Sequence, residues 1–174
     1  MGSLAKSIEA EIFADAANTF AVLDGASVPG LLEKLGQWRP EFVCLYRGEL
    51  EPDLAEVAPY LVLLEPETEF AEWVISEGWG NHWGVFAISE VDLQAMRQHL
   101  RRLLTVYDES GKPLLFRFYD PRVLRTYIPT CNSEELAAIF GPVSAYILED
   151  DDPARLLTFK DRAPVPGKHD LVRT

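Results

Sequence analysis

Residues Lys112–Leu124 read KPLLFRFYDPRVL, and this stretch joins a predicted strand to a predicted helix. From Pro113 to Tyr119 the side chains alternate between two unlike sets, which is the period of a strand with two different faces. Pro121 cannot donate a hydrogen bond to a sheet, so the strand is predicted to end before it. Proline also fits the first turn of a helix, which makes Asp120 the natural N-cap of the helix that follows.

Two arginines and one carboxylate lie at this junction, namely Arg117, Asp120 and Arg122. Arg117 is predicted in the middle of an aromatic strand, where it must reach water or an acceptor because an unpaired buried charge is very costly. One interpretation is structural: Asp120 caps its helix and pairs with an arginine. The other is functional: an arginine beside Tyr119 faces outward and binds a carboxylate or a backbone carbonyl of a partner segment. Both can hold at once, at a strand end where α/β folds often bind ligands.

Strands and helices are predicted to alternate through the first half of the chain. Continuous apolar runs, with segments of helical period between them, predict buried strands at residues 20–23, 42–46, 60–64 and 82–88. The second half adds a hairpin around Asp108–Gly111 and strands at 143–148 and 155–159. We predict a single α/β domain over residues 1–162, with a mixed, mostly parallel central sheet of about five to seven strands flanked by helices. Residues 163–174, rich in proline, glycine and charge, are predicted to form a loose tail.

Two pairs of residues mark predicted helix starts in the second half. Ser89 with Asp92, and Asn132 with Glu135, have the spacing of a capping box, in which the first side chain caps the helix and the second reaches back to it. We therefore expect helices to begin after Ser89 and after Asn132.

The run FRFYDPRVL at Phe116–Leu124 resembles the signature of a bacterial adaptor family of type VI secretion, also catalogued as a domain of unknown function. Three further pieces occur in the order expected of that family: AVLDGA at Ala21–Ala26, APYLV at Ala58–Val62 and HLRRLL at His99–Leu104. The resemblance covers residues 19–143. It implies a non-catalytic, cytoplasmic chaperone or adaptor that binds a toxin effector and delivers it to the VgrG spike protein. It implies no catalytic residue and no cofactor.

Charge is spread unevenly along the chain. The formal net charge of −12 and the pI near 4.6 disfavour generic binding to nucleic acid or to an anionic membrane. Residues 1–75 carry 4 basic and 14 acidic side chains, whereas residues 97–125, which include Arg101, carry 7 basic and 3 acidic ones. This basic segment is either neutralised by the acidic first half or anchors an acidic segment of a partner. As an alternative function, a small binding domain or enzyme would hold a phosphate or nucleotide ligand through Arg117 and Arg122.

Groups suited to catalysis or metal binding are sparse. Cys44 and Cys131 lie far apart and lack the spacing of a disulfide framework or a zinc site, which fits a reducing cytoplasm. The 3 histidines share no ligand spacing, and no serine lies in a nucleophile motif. We expect no signal peptide and no membrane-spanning segment. The chain is therefore predicted to be no enzyme and to hold no cofactor or metal.

Two short segments could be taken for binding sites, one with two tryptophans and one with four acidic residues. Trp79 and Trp83 either form an exposed aromatic grip for a partner, because tryptophan and arginine dominate interface hot spots, or belong to the core at a corner between a helix and a strand. The acidic run Glu149–Asp152 lacks the ligand pattern of a calcium loop, so it is predicted to be a solvated turn.

Overall fold

The computed structural model describes residues 2–161 and 165–171, in which helices and strands alternate through the first half of the chain. The strands are β1 Asn18–Asp24, β2 Phe42–Cys44, β3 Pro59–Leu64, β4 Gly84–Ser89, β5 Thr105–Tyr107, β6 Pro113–Leu115, β7 Val143–Glu149, β8 Arg155–Lys160 and β9 Gly167–Asp170. The α-helices are α1 Ser3–Ile12, α2 Leu31–Trp38, α3 Pro52–Val57, α4 Glu69–Gly78, α5 Leu93–Leu103, α6 Pro121–Tyr127 and α7 Ser133–Phe140. A 3-10 turn, Ile128–Thr130, follows α6.

One sheet contains seven of these strands, in the order β2-β3-β1-β4-β7-β8-β9. Every pair of neighbouring strands in this sheet is antiparallel. The expectation of an α/β domain with a central sheet flanked by helices is confirmed. The expectation of a mixed, mostly parallel sheet is wrong.

Two crossover units explain why the alternation of strands and helices suggested parallel pairing. In the unit β1–α2–β2 the two strands run in the same direction, because both are antiparallel to β3, but β3 lies between them. In the unit β3–α4–β4 the two strands again run in the same direction, and β1 lies between them. Hydrophobic periodicity shows that a strand is buried but does not show which strand is its neighbour.

Helices cover both faces of the large sheet, which accounts for the long apolar runs in its strands. In β1, Phe20 and Val22 point to one apolar cluster, whereas Ala21 and Leu23 point to the other. The first cluster includes buried residues of α5, α6 and α7, and the second includes buried residues of α1, α2 and α4. A sheet buried on both faces has strands without alternation whatever their direction, so burial gave no sign of the antiparallel order.

The stretch Lys112–Leu124 begins with the second strand of a hairpin that lies outside the large sheet. Strands β5 and β6 pair antiparallel in a separate two-stranded sheet, which confirms the predicted hairpin. The strand ends at Leu115, earlier than predicted, and a turn follows in which the N–H of Asp120 donates to the carbonyl of Arg117 at 3.0 Å. The turn places the adjacent side chains of Phe118 and Tyr119 in the same apolar cluster, whereas a strand would send them to opposite faces.

The C-terminal residues differ from the predicted loose tail. Gly167–Asp170 form β9 and pair with β8 along one edge of the sheet, and Leu171 is buried in the second cluster. Residues 163–164 and 172–174, which fall in the predicted tail, lie outside the described residues. In the described ranges, no helix combines the length and the apolar composition that a bilayer crossing requires.

Candidate functional site

Three buried carboxylates meet where central strands of the large sheet end. Asp24 ends β1 and Glu149 ends β7, and these strands run in the same direction on either side of β4, so their last residues lie at the same end of the strands. Asp120 comes to the same place as the N-cap of α6. Asp24 is 1 % exposed, and Asp120 and Glu149 are each 4 % exposed. We call this group and the basic residues that contact it the charged corner.

The carboxylate of Asp24 has acceptor contacts on both oxygens. The N–H of Ala26 donates to it at 3.1 Å and the hydroxyl of Ser27 at 2.8 Å, which closes the turn after β1. The guanidinium of Arg117 pairs with the same carboxylate. The ion pair therefore joins the turn after β6 to the end of β1 across 93 residues of sequence.

Asp120 and Arg122 form a bidentate pair within one turn of chain. Asp120 caps α6 by accepting from the N–H of Arg122 at 2.9 Å, and the Nε and Nη2 atoms of Arg122 donate to its two oxygens at 3.0 and 2.7 Å. Burial tends to raise the pKa of Asp120, but the side-chain and backbone hydrogen bonds from Arg122 outweigh it, and the pKa is lowered. The hydrogen bond with Asp120 and then its charge raise the pKa of Arg122. The structure therefore contains the contacts of the structural interpretation, in which Asp120 caps its helix and pairs with an arginine.

Glu149 is enclosed by the loop between α4 and β4. The backbone N–H groups of Gly80 and His82 donate to its carboxylate, the latter at 3.2 Å, and Nδ1 of His82 contacts the same group. From α6, Arg125 donates to the carbonyl of Glu149 at 3.4 Å and pairs with Asp151. The prediction of a solvated acidic turn is thus wrong for Glu149, which is the last residue of a buried strand, although Asp151 is exposed.

Arg117 and Arg122 each keep one side open to solvent. Their side chains are 42 % and 52 % exposed, although their partner carboxylates are almost fully buried. The guanidinium of Arg117 lies 5.9 Å from the ring centre of Tyr119, which is 2 % exposed. Burial and then the neighbouring Tyr46 raise the pKa of Tyr119. Tyr119 therefore packs beneath Arg117 as a buried support, and the two arginines are half-exposed members of the corner.

Trp79 and Trp83 lie next to the corner but face the core. Both are half-buried and pack against the second apolar cluster. The indole N–H of Trp79 donates to the carbonyl of Pro153 at 2.8 Å, and the ring of Trp83 lies 4.8 Å from that of Trp73. The backbone carbonyl of Trp83 accepts from the N–H of Asp24 at 2.8 Å. Of the two interpretations, the structure favours a core corner between α4 and β4.

Arg101 lies apart from the other predicted site residues. It projects from α5 and donates to the carbonyls of Cys44, Leu45 and Tyr46, each at 3.0 Å. These contacts fix the chain where it leaves β2 at the outer edge of the sheet. The structure therefore divides the basic segment into two places, the charged corner and the surface around Arg101.

The corner offers hydrogen-bond donors from two half-exposed arginines, and it also contains the contact between His82 and Glu149. Its carboxylates contact arginines, backbone N–H groups, the Ser27 hydroxyl and the His82 ring, and no group of three or more metal-binding side chains is found in the described residues. Both cysteines are free, and burial is the main cause that raises the pKa of the Cys44 and Cys131 thiols. The arrangement suits binding of a carboxylate or a backbone carbonyl by two guanidinium groups.

Sequence reasoning found Arg117, Asp120 and Arg122 but missed Asp24 and Glu149. A charged residue directly after an apolar strand was a usable signal for both. The signal was insufficient because the two residues become neighbours only through the strand order β1-β4-β7.

Fold and site together define an α/β protein with an antiparallel central sheet and a fixed corner of ion pairs at the ends of its central strands. Comparison with protein families gives a match over residues 19–138 to the family described as Domain of unknown function (DUF4123). The match covers more than half of the chain, and the chain belongs to this family. It spans the FRFYDPRVL run and the other three motifs. Searches of the curated proteins and of the solved structures found no match.

Proposed function

We propose that the protein is a cytoplasmic adaptor of type VI secretion that binds a toxin effector and helps load it onto the VgrG spike protein. Two lines support this proposal. The four motifs resemble those of the adaptor family, and they fall within the family match at residues 19–138. The charged corner has the properties of a docking surface, because it presents donors that are already held in place.

The observation that carries the proposal is the contrast between the exposed arginines and their buried partners. Arg117 and Arg122 are held by carboxylates that are themselves fixed by caps and turns, so little side-chain freedom remains to be lost on binding. Each guanidinium has a face toward solvent. A fixed, half-exposed arginine is a common anchor in protein interfaces.

The carboxylates of the corner serve better as anchors than as catalytic acids or bases. Asp120 has a lowered pKa and is engaged by a bidentate arginine, so it stays ionised near neutral pH. Asp24 likewise accepts from three donors. Such groups orient the arginines, and this role supports a binding function.

Co-purification with the native partners tests the proposal. The chain is expressed with the effector and the VgrG protein encoded beside its gene, and complexes are measured by size-exclusion chromatography. Arg117→Ala and Arg122→Ala are expected to keep the fold, judged by circular dichroism, and to weaken capture of the effector. Arg155→Ala is the matched control, because Arg155 is half-exposed and forms an ion pair with Asp170 outside the corner. Normal capture by both corner variants would remove the corner from the interface, and recovery of neither partner by the unaltered chain would overturn the adaptor function.

A thermal-shift panel of nucleotides and sugar phosphates tests the alternative of a phosphate ligand. A ligand at about 100 times its dissociation constant raises the apparent stability by roughly 2.7 kcal/mol, which is readily measured. The adaptor proposal predicts no shift across this panel, since it assigns the exposed faces of Arg117 and Arg122 to a protein segment. A shift that disappears in Arg117→Ala would replace the adaptor by a small-molecule binding protein.

A further inference from the structure

Three arginines form a second basic cluster that nothing in the charged corner uses. Arg97 and Arg101 lie four residues apart on α5, and Arg47 follows the end of β2. Arg47 and Arg101 line the same surface groove, and Arg97 lies about one helical turn before Arg101, so the three cations are neighbours. Burial, then the charge of Arg97, then that of Arg47 lower the pKa of Arg101. Like charges four apart on a helix destabilise it. The mutual repulsion of the three cations is therefore a small cost to the fold, which a neighbouring carboxylate would relieve.

Compensation within the chain is incomplete. Among the residues that the structure describes, none of the three arginines forms an ion pair with a carboxylate. Arg101 is satisfied by three backbone carbonyls, which carry no net charge. The Nε of Arg97 is buried and has no hydrogen-bond partner within the described residues. In a chain with a net charge of −12, an unneutralised cationic cluster is an unusual local arrangement.

An apolar groove opens beside the cluster. It has a volume of about 330 Å³ and lies between the chain after β2, helix α3, the end of α5 and strand β6. Its lining includes Arg47 and Arg101 together with the aliphatic residues Leu45, Leu54, Leu104 and Leu115. The side of the groove formed by Leu54 and Leu115 is open to solvent, since these residues are 44 % and 56 % exposed. Large exposed aliphatic side chains beside unpaired arginines are typical of a surface that binds a partner.

We propose that this arginine groove, formed by Arg47 and Arg101 with the apolar lining and flanked by Arg97 on α5, binds an acidic segment of a partner protein. Carboxylates of the segment would pair with Arg47 and Arg97, and an apolar side chain would enter the groove beside Leu115. Charge complementarity selects this occupant, because the cluster is cationic and unneutralised. Nucleic acid fits poorly, because residues 1–75 carry 14 acidic and 4 basic side chains on the same chain. The inference concerns a surface apart from the corner and holds whichever partner the corner binds.

Fluorescence anisotropy with defined peptides tests the arginine groove. The probe is a short fluorescein-labelled peptide of mixed glutamate and leucine, compared with counterparts in which glutamine or lysine replaces glutamate, and with labelled single-stranded DNA. We expect binding of the glutamate peptide alone, weakened by added salt. The double variant Arg47→Gln with Arg97→Gln is expected to weaken binding about tenfold or more, and Leu115→Ser is expected to weaken it as well. Arg102→Gln, which removes one positive charge on the exposed face of α5, is expected to bind as the unaltered chain does.

Several results would overturn this proposal. Equal binding of the glutamine peptide would show that charge is not recognised, and binding of the DNA would assign the cluster to a different class of partner. An equal loss in Arg102→Gln would mean that only net charge is sensed, and no binding of any probe would remove the groove as a docking surface. Circular dichroism of each variant separates loss of binding from loss of fold, and Arg117 and Arg122 stay intact so that the proposed function is tested separately.

Discussion

The ion pair between Arg117 and Asp24 provides the sharpest test of how the charged corner is built. Replacing Arg117 by methionine leaves a carboxylate that is 1 % exposed with its hydrogen bonds from Ala26 and Ser27 but without its counter-charge. Loss of one partner from a fully buried pair costs about 3–5 kcal/mol, and the partial exposure of Arg117 places the expected loss near the lower limit, about 3 kcal/mol. Replacing Asp24 by asparagine leaves a half-exposed arginine that water can solvate, so we expect a smaller loss of about 2 kcal/mol.

Urea unfolding followed by tryptophan fluorescence gives both free energies by linear extrapolation. The double variant is expected to lose at least about 1 kcal/mol less than the sum of the two single losses, because either substitution alone removes the same interaction. Arg155→Met, at an ion pair whose two partners are largely exposed, is the control and is expected to change stability by less than about 0.5 kcal/mol. Additive losses, or a loss in Arg117→Met no larger than in the control, would refute the argument that the buried carboxylate depends on this arginine.

Three further predictions use other parts of the fold. Gly84→Ala is expected to cost more than about 2 kcal/mol, because an added Cβ would lie 2.1 Å from the carbonyl oxygen of Val22. Gly36→Ala, in a helix with open space around the added atom, is the matched control and is expected to stabilise by about 0.5–1 kcal/mol; a similar loss at both sites in urea unfolding would contradict the packing argument. Burial lowers the pKa of His99, so below the unfolded pKa of about 6.5 the unfolded chain binds a proton that the folded chain does not, and stability falls as the pH falls toward the folded pKa. The stability difference between about pH 7.5 and about pH 5 should shrink in His99→Gln, and an unchanged pH dependence would rule His99 out as its source. Arg97→Met is expected to leave stability unchanged or to raise it by up to about 1 kcal/mol, because it removes a like-charge neighbour and a buried unpaired Nε; a loss similar to that of Arg117→Met would show that Arg97 has a stabilising partner.

Local signals in the sequence predicted local structure well. Asn132 and Glu135 form the capping box that their spacing indicated, and the hairpin around Asp108–Gly111 is present. Ser89 shows the limit of such signals. The helix N-cap is Asp92, whereas Ser89 is the last residue of β4, and its hydroxyl donates to the carbonyl of Pro142 at 2.6 Å. A serine before a helix and a serine at the end of a buried strand look alike until the tertiary contact is known.

In the charged corner, likewise, one ion pair could be predicted from the sequence and another could not. The pair of Asp120 and Arg122 was predictable, because the partners are two positions apart in the sequence and the proline between them sets the helix start. The pair of Arg117 and Asp24 was not, because its partners are 93 residues apart and meet only through the strand order. That order depends on the packing of whole helices on both faces of the sheet, which no short window of sequence contains.

The position of β1 between β3 and β4 has a consequence for synthesis of the chain. A strand near the N-terminus takes its two neighbours from segments made later. β3 is made first and can pair with one side of β1, but the other side stays unpaired until Ser89, the end of β4, has emerged from the ribosome. Its apolar residues are exposed during that interval. Nascent chains that stall before this point should therefore bind holdase chaperones, and those that pass it should be released.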